Sequence, residues 1–233
     1  MYNGLLLLNK SCGLTSFQSL NSVKKTFSTG KVGHTGTLDK FASGLLLVLV
    51  GRAVKLNSLF VGLEKEYIGT ILFGAETDTL DPEGTVIAEG TIPSREQVEA
   101  ALAEFRGDIL QEPPAFSAIH IGGRRAHELA REGKTPEMKK RPVTVYTLEL
   151  VSWSPPQATI HVRCSAGTYI RSLARDIALA CGSRAHLCTL SRSAIGPFHL
   201  ENAVKEQGQA EDLQKALIPI DKEWVYANVL TDN

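Results

Sequence analysis

Leucine dominates two uninterrupted apolar runs early in the chain, residues 5–8 and 45–49. The first breaks at Asn9-Lys10 and predicts a short buried strand over 4–10, with Ser11-Cys12-Gly13-Leu14 as a turn. The second, bounded by Gly44 and Gly51, fits a fully buried strand or a helix segment equally well. Between them Thr15 or Ser16 is placed to cap a helix to about Thr26, because Phe17, Leu20, Val23 and Phe27 recur three or four apart. Residues 30–38 read as a polar, glycine-punctuated loop, and 54–59 as a helix.

Alternation predicts a strand over 65–73 and a second over 85–89, after the turn Asp81-Pro82-Glu83-Gly84. Ser94 caps a helix that carries Val98, Leu102 and Phe105 on one side and stops at Gly107. Residues 111–123 form a proline-containing loop, and 125–132 a short helix stopped by Gly133. Around Pro155-Pro156, residues 142–153 and 158–164 read as strands rich in β-branched side chains, and 168–179 as a helix ending near Gly182. No steady β-α-β period of about 30 residues is present. The pattern therefore predicts an α+β domain with a mixed or largely antiparallel sheet, no internal repeat, and a tail from Glu201 too short for a second domain.

Composition adds little by itself: 25 basic and 25 acidic side chains in 233 residues leave no net charge, and 43% hydrophobic content is that of a globular protein. The N-terminal apolar run is too short for a signal peptide, and no stretch reaches the length of a membrane span, so a cytoplasmic location without membrane partners is expected. Cys12, Cys164, Cys181 and Cys188 include no CxxC pair, so no metal site is expected. Segment by segment the charge is uneven. Residues 1–65 hold 8 basic and 2 acidic groups, 66–119 hold 2 and 11, 120–200 hold 12 and 5, and the tail holds 3 and 7. Two basic segments meeting in space would steer a polyanion; kept apart, they are separate solvated faces.

The densest polar constellation is Gly33-His34-Thr35-Gly36-Thr37-Leu38-Asp39. Asp39 is the only carboxylate among the first 63 residues. An acid isolated among cations is a candidate nucleophile or general base, held ionised by a cationic neighbour, and equally a turn or helix cap. The segment lacks the Gly-Lys-Ser/Thr ending of a phosphate loop.

These residues resemble the catalytic signature of the TruB family of tRNA pseudouridine synthases. The similarity continues through residues 4–16, 42–46, 51–56, 65–67, 74–84, 113–118, 167–176 and 190–198. It implies a pseudouridine synthase catalytic fold, α+β with a central mixed, largely antiparallel sheet flanked by helices. The domain would cover 1–200 with an RNA-facing insertion around 104–140. Residues 201–233 would be a short tail, with no complete PUA domain expected. The activity implied is isomerisation of uridine 55 in the T-arm of tRNA, without cofactor or guide RNA, by a monomer.

By the same resemblance Asp39 is the catalytic aspartate acting at the ribose C1′, by a covalent adduct or by glycal formation. Tyr67 is similar to the tyrosine that stacks on the target uracil and takes part in proton transfer. Arg171 matches the arginine that pairs with the aspartate. Tyr169 corresponds to a second pocket tyrosine, Leu190 to an apolar contact for the flipped base, and His34 to the histidine beside the vacated base position. Lys10 matches a position near the active-site mouth that holds local structure or contacts phosphate. Arg175, four residues beyond Arg171, is left outside the catalytic set. Ser11 and Lys40 stand where this family usually has proline, His120 replaces a lysine, and Arg125-Ala126-His127 replaces a hydrophobic and tyrosine pair. Two other readings are another RNA with a T-loop-like hairpin, and a non-catalytic RNA-binding module.

Overall fold

Both leucine runs are strands. The computed structural model describes residues 2–230 other than 118, 122, 133 and 135–137. Its opening elements are β1 (Gly4–Lys10), α1 (Leu20–Thr26), β2 (Val32–His34) and β3 (Ser43–Val50), then a 3-10 turn at Gly51–Leu56 and α2 (Asn57–Val61). Next come β4 (Lys65–Phe73), β5 (Ala75–Thr77), β6 (Val86–Glu89), α3 (Arg95–Glu104), β7 (Gly107–Gln111), β8 (His120–Ile121), β9 (Arg124–Arg125) and α4 (Ala126–Arg131). The chain continues with β10 (Arg141–Ser154), β11 (Gln157–Cys164), α5 (Ile170–Ala180), β12 (Ala185–Ile195), β13 (Phe198–His199), β14 (Val204–Lys205), α6 (Ala210–Lys215) and α7 (Lys222–Asn228). Two compact units result, residues 1–67 with 190–233 and residues 68–189, and β4 and β12 run from one into the other.

In the first unit β1 pairs antiparallel with β3 from Gly4↔Val50 to Lys10↔Gly44, β2 pairs antiparallel with β3, and β14 lies parallel to β1. Successive side chains point to opposite faces of a strand, so an unbroken leucine run needs a core on each face. Leu5, Leu7, Leu45, Leu47 and Leu49 pack with Phe60, Ile195, Phe198 and Val225 on one face. Leu6, Leu8, Leu46, Val48 and Val50 pack with Leu20, Val23, Phe27 and Leu213 on the other. This settles residues 45–49 as a central strand. The tail takes part: Leu5 and Ile218 exchange both backbone hydrogen bonds at 2.8 Å, and Leu213 and Val225 are fully buried.

The first helix begins three or four residues later than a Ser16 or Thr15 cap predicts. Thr15 and Gln18 close a turn through reciprocal main-chain to side-chain bonds of 2.9 and 3.1 Å, and the Ser16 hydroxyl is committed to Leu38. Phe17 is consequently 65% exposed rather than on the buried stripe. Part of the expected 30–38 loop is β2, drawn into strand form by pairing with β3.

In the second unit β10 pairs antiparallel with β7 and, through two register shifts, with β11. The short pairs β5–β6 and β8–β9 are antiparallel as well. A capping box between Ser94 and Gln97 starts α3, which packs against α5 and β10. The whole is an α+β fold with a mixed, largely antiparallel sheet flanked by helices, as the sequence predicts. The expected helix stop at Gly133 and the residue Ala118 lie outside the described residues, as do the side chains of His120, Arg125 and His127. No helix among the described residues is long and apolar enough to cross a membrane.

Candidate active site

Asp39 sits half-buried in the loop between β2 and β3, and that loop is held from three directions. The Ser16 hydroxyl donates to the Leu38 carbonyl at 2.9 Å and accepts the Leu38 N–H at 2.8 Å, which locks the residue before Asp39. Lys10, at the end of β1, is wholly buried. Its Nζ donates to the carbonyls of Ala42 at 2.5 Å, Ser11 at 3.0 Å and Lys40 at 3.4 Å, so it ties down the residues after Asp39. Lys10 therefore holds local structure, and its ammonium is turned away from solvent. Arg192, on β12 and 1% exposed, donates from Nε to the Leu45 carbonyl at 2.8 Å and from its two terminal nitrogens to Thr37 and Gly36 at 3.4 and 3.3 Å. Main-chain bonds from Gly13 to Lys40 at 2.8 Å and from Ala42 to Asp39 at 3.2 Å complete the clasp.

Two cations are thereby buried around a loop with a single carboxylate. Burial lowers the pKa of Lys10, Glu206, Cys12 and Asp39 act to raise it, and Arg192 acts with burial. His34, on β2, is likewise lowered, first by burial and then by Arg192, so its imidazole is neutral at pH 7. Its Nδ1 is buried and has no hydrogen-bond partner among the described residues. A neutral ring with an unused nitrogen can stack on a base and hydrogen-bond to it at once. Tyr67 on β4 and Leu190 on β12 belong to the same unit and are 8% and 7% exposed.

Tyr169 and Arg171 open α5 in the other unit. The Gln111 amide bonds both main-chain polar groups of Tyr169, at 2.8 and 3.1 Å. Arg171, 5% exposed, donates to the carbonyls of Thr79 at 2.7 Å and Phe116 at 3.0 Å and to the Asp81 carboxylate at 3.3 Å. Asp81 also accepts from the Thr79 hydroxyl at 2.6 Å and the Glu83 N–H at 3.0 Å, so it shapes its turn while it meets the guanidinium. Arg175 is taken up by Asp176 and the Glu112 carbonyl. Burial raises the Asp176 carboxyl.

Sequence reading missed Arg192, Asp81 and Ser16 as supports of these groups. The signal for Arg192 was a lone arginine in a strand of mostly small or apolar residues, Ala185–Ile195; Asp81 was legible only as a turn residue. Among the described residues no cluster of three or more His, Cys, Asp or Glu could hold a metal ion.

The geometry is that of a half-buried aspartate in a loop clasped by buried side chains, with a partly buried histidine on the strand that precedes it. The model of the TruB family pseudouridylate synthases, N-terminal domain, matches residues 24–170, and the chain belongs to that family. It is 46% identical over 237 residues to tRNA pseudouridine synthase B of Borreliella burgdorferi (strain ZS7), covering 100% of this chain and 83% of that protein. It is 45% identical over 214 residues to the protein of the same name from Francisella tularensis subsp. tularensis (strain WY96-3418), covering 91% and 70%. Among solved structures it resembles one chain of a Cbf5-Nop10-Gar1 complex, with TM-score 0.70 and 26% identity over 97% of this chain and 56% of that one.

Proposed function

We propose that this protein isomerises uridine 55 in the T-loop of tRNA to pseudouridine, with Asp39 as the catalytic carboxylate. The reaction breaks the bond from C1′ to N1 and forms one from C1′ to C5, with a proton lost at C5 and one gained at N1. Substrate and product are isomers, so the chemistry consumes no cofactor. Positive character builds at C1′ as the base departs, and a carboxylate fixed nearby stabilises it. The observation that carries this reading is the clasp on the Asp39 loop by Lys10, Arg192 and Ser16, which fixes the carboxylate's backbone before substrate arrives.

A uridine inside a folded arm must be flipped out at a cost of a few kcal/mol. Tyr67, Tyr169, Leu190 and the neutral imidazole of His34 are assigned the contacts that offset this cost. Arg171 is assigned the aspartate-pairing role, with Asp81 steadying it. A pocket closed over the detached uracil keeps water from C1′. Residues 1–200 are read as the catalytic domain, the stretch around 104–140 as its RNA-facing insertion, and 201–233 as a short tail, of which Val204–Lys205 pairs with β1. The protein is read as a cytoplasmic monomer that needs no guide RNA, because tRNA itself presents the folded T-arm.

Site-resolved pseudouridine detection on an unmodified tRNA transcript, with purified protein and nothing else added, tests the proposal. Product at U55 is expected. Binding without product there would overturn it.

A further inference from the structure

We propose that Glu206, in the C-terminal segment, is a positioning residue for Asp39, fixing the Lys10-Ser11 corner that holds the Asp39 loop. The inference rests on the catalytic reading of Asp39 above. Glu206 directly follows β14 and is 3% exposed. Its own N–H donates to the Asn9 carbonyl at 3.3 Å, and its Oε1 accepts the Ser11 N–H at 3.1 Å. Its Oε2 is buried and has no hydrogen-bond partner among the described residues.

A buried carboxylate oxygen left without a donor is costly. What it sits beside explains its use. The Lys10 ammonium makes three bonds to carbonyls, two of them at Lys40 and Ala42, on the chain just after Asp39. Burial disfavours that ammonium, and Glu206 is the largest influence favouring its charge, ahead of Cys12 and Asp39 and against Arg192. A neutral amine donates more weakly to carbonyls, and Glu206 favours the charged form of Lys10. The Ser11 N–H adds a mechanical tie that a proline at that position would abolish.

The test compares wild type, Glu206→Gln, Ser11→Pro and their double variant on the unmodified tRNA transcript, with exposed Glu211→Gln as a charge control. Glu206→Gln is expected to lower kcat about tenfold while KM for tRNA stays within about twofold. Its alkaline limb should begin at a lower pH, since Lys10 loses the influence that most favours its proton. The charged and titratable groups that act on Lys10 are Glu206, Cys12, Asp39 and Arg192. The shift should therefore persist in a Cys12→Ser background. Ser11→Pro should also lower kcat, and the double variant should lose less than the product of the two single losses. If Glu206→Gln does not fold, Glu206→Asp carries the test: charge kept and reach shortened, it should lower kcat without moving the alkaline limb. An unchanged kcat and pH profile in an active background overturns this inference alone. Absence of product from the wild type overturns the catalytic reading and this inference with it.

Discussion

Lys10 and Arg192, both fully buried, donate to carbonyls flanking Asp39, and the loss of Arg192 has a measurable consequence. Arg192→Met removes the donors to the Gly36, Thr37 and Leu45 carbonyls, so unfolding in urea should show a loss of about 2–4 kcal/mol. Arg192→Lys should recover only part of it, because a single ammonium cannot reach three carbonyls as a planar fork does. Asp39→Asn keeps the loop and removes the charge. Pseudouridine formation should fall by at least about 1,000-fold while tRNA affinity changes less than about threefold, read by single-turnover kinetics and filter binding. His34 gives a pH signature. Its folded pKa lies below the ordinary 6.5, so its contribution to stability is present above that pH and is lost as pH falls through the depressed folded value. Urea midpoints measured from pH 7 downwards should decline less steeply in His34→Gln than in wild type.

Among the elements, the pairing of β3 with β12 decides where the Asp39 loop ends. Arg192 lies opposite Gly44 in that parallel pair, and Gly44 has φ of +109°. A Cβ there would fall 2.5 Å from the Arg192 carbonyl oxygen and 2.6 Å from its nitrogen. Gly44→Ala should therefore cost at least about 2 kcal/mol in urea unfolding, from both the backbone conformation and the clash. Strand and helix identities were legible where periodicity was strong, as in the Ser94-capped α3 and the alternating β4. They were not legible at residues 15–18, where Ser16 had two possible employments. Local sequence favoured a helix cap, and the distant Leu38 backbone claimed the hydroxyl instead.

For the whole molecule, neutrality in total hides local charge that bears on RNA binding. Lys25, Lys31, Lys40, Arg52 and Lys55 are all exposed on the first unit. If they meet the tRNA backbone, Kd should rise about tenfold or more over a fourfold increase in salt, the dependence of at least two neutralised phosphates. A salt-independent Kd in a titration series would remove them from the interface.

The sequence by itself determined the fold class, the first leucine strand and the candidate chemistry at Asp39, because a short apolar run ending at Asn9-Lys10 and a lone carboxylate among cations are local properties; pairing with β1 and β2 was needed to make residues 45–49 a strand. Tertiary structure alone decided which distant side chains hold these groups. Arg192 is 153 residues from Asp39 along the chain, and Glu206 lies 195 residues from Ser11. Asp81 lies 90 residues from Arg171. No short window of sequence contains both sides of such a pair. Each forms only when folding brings a buried polar group to partners distant in sequence.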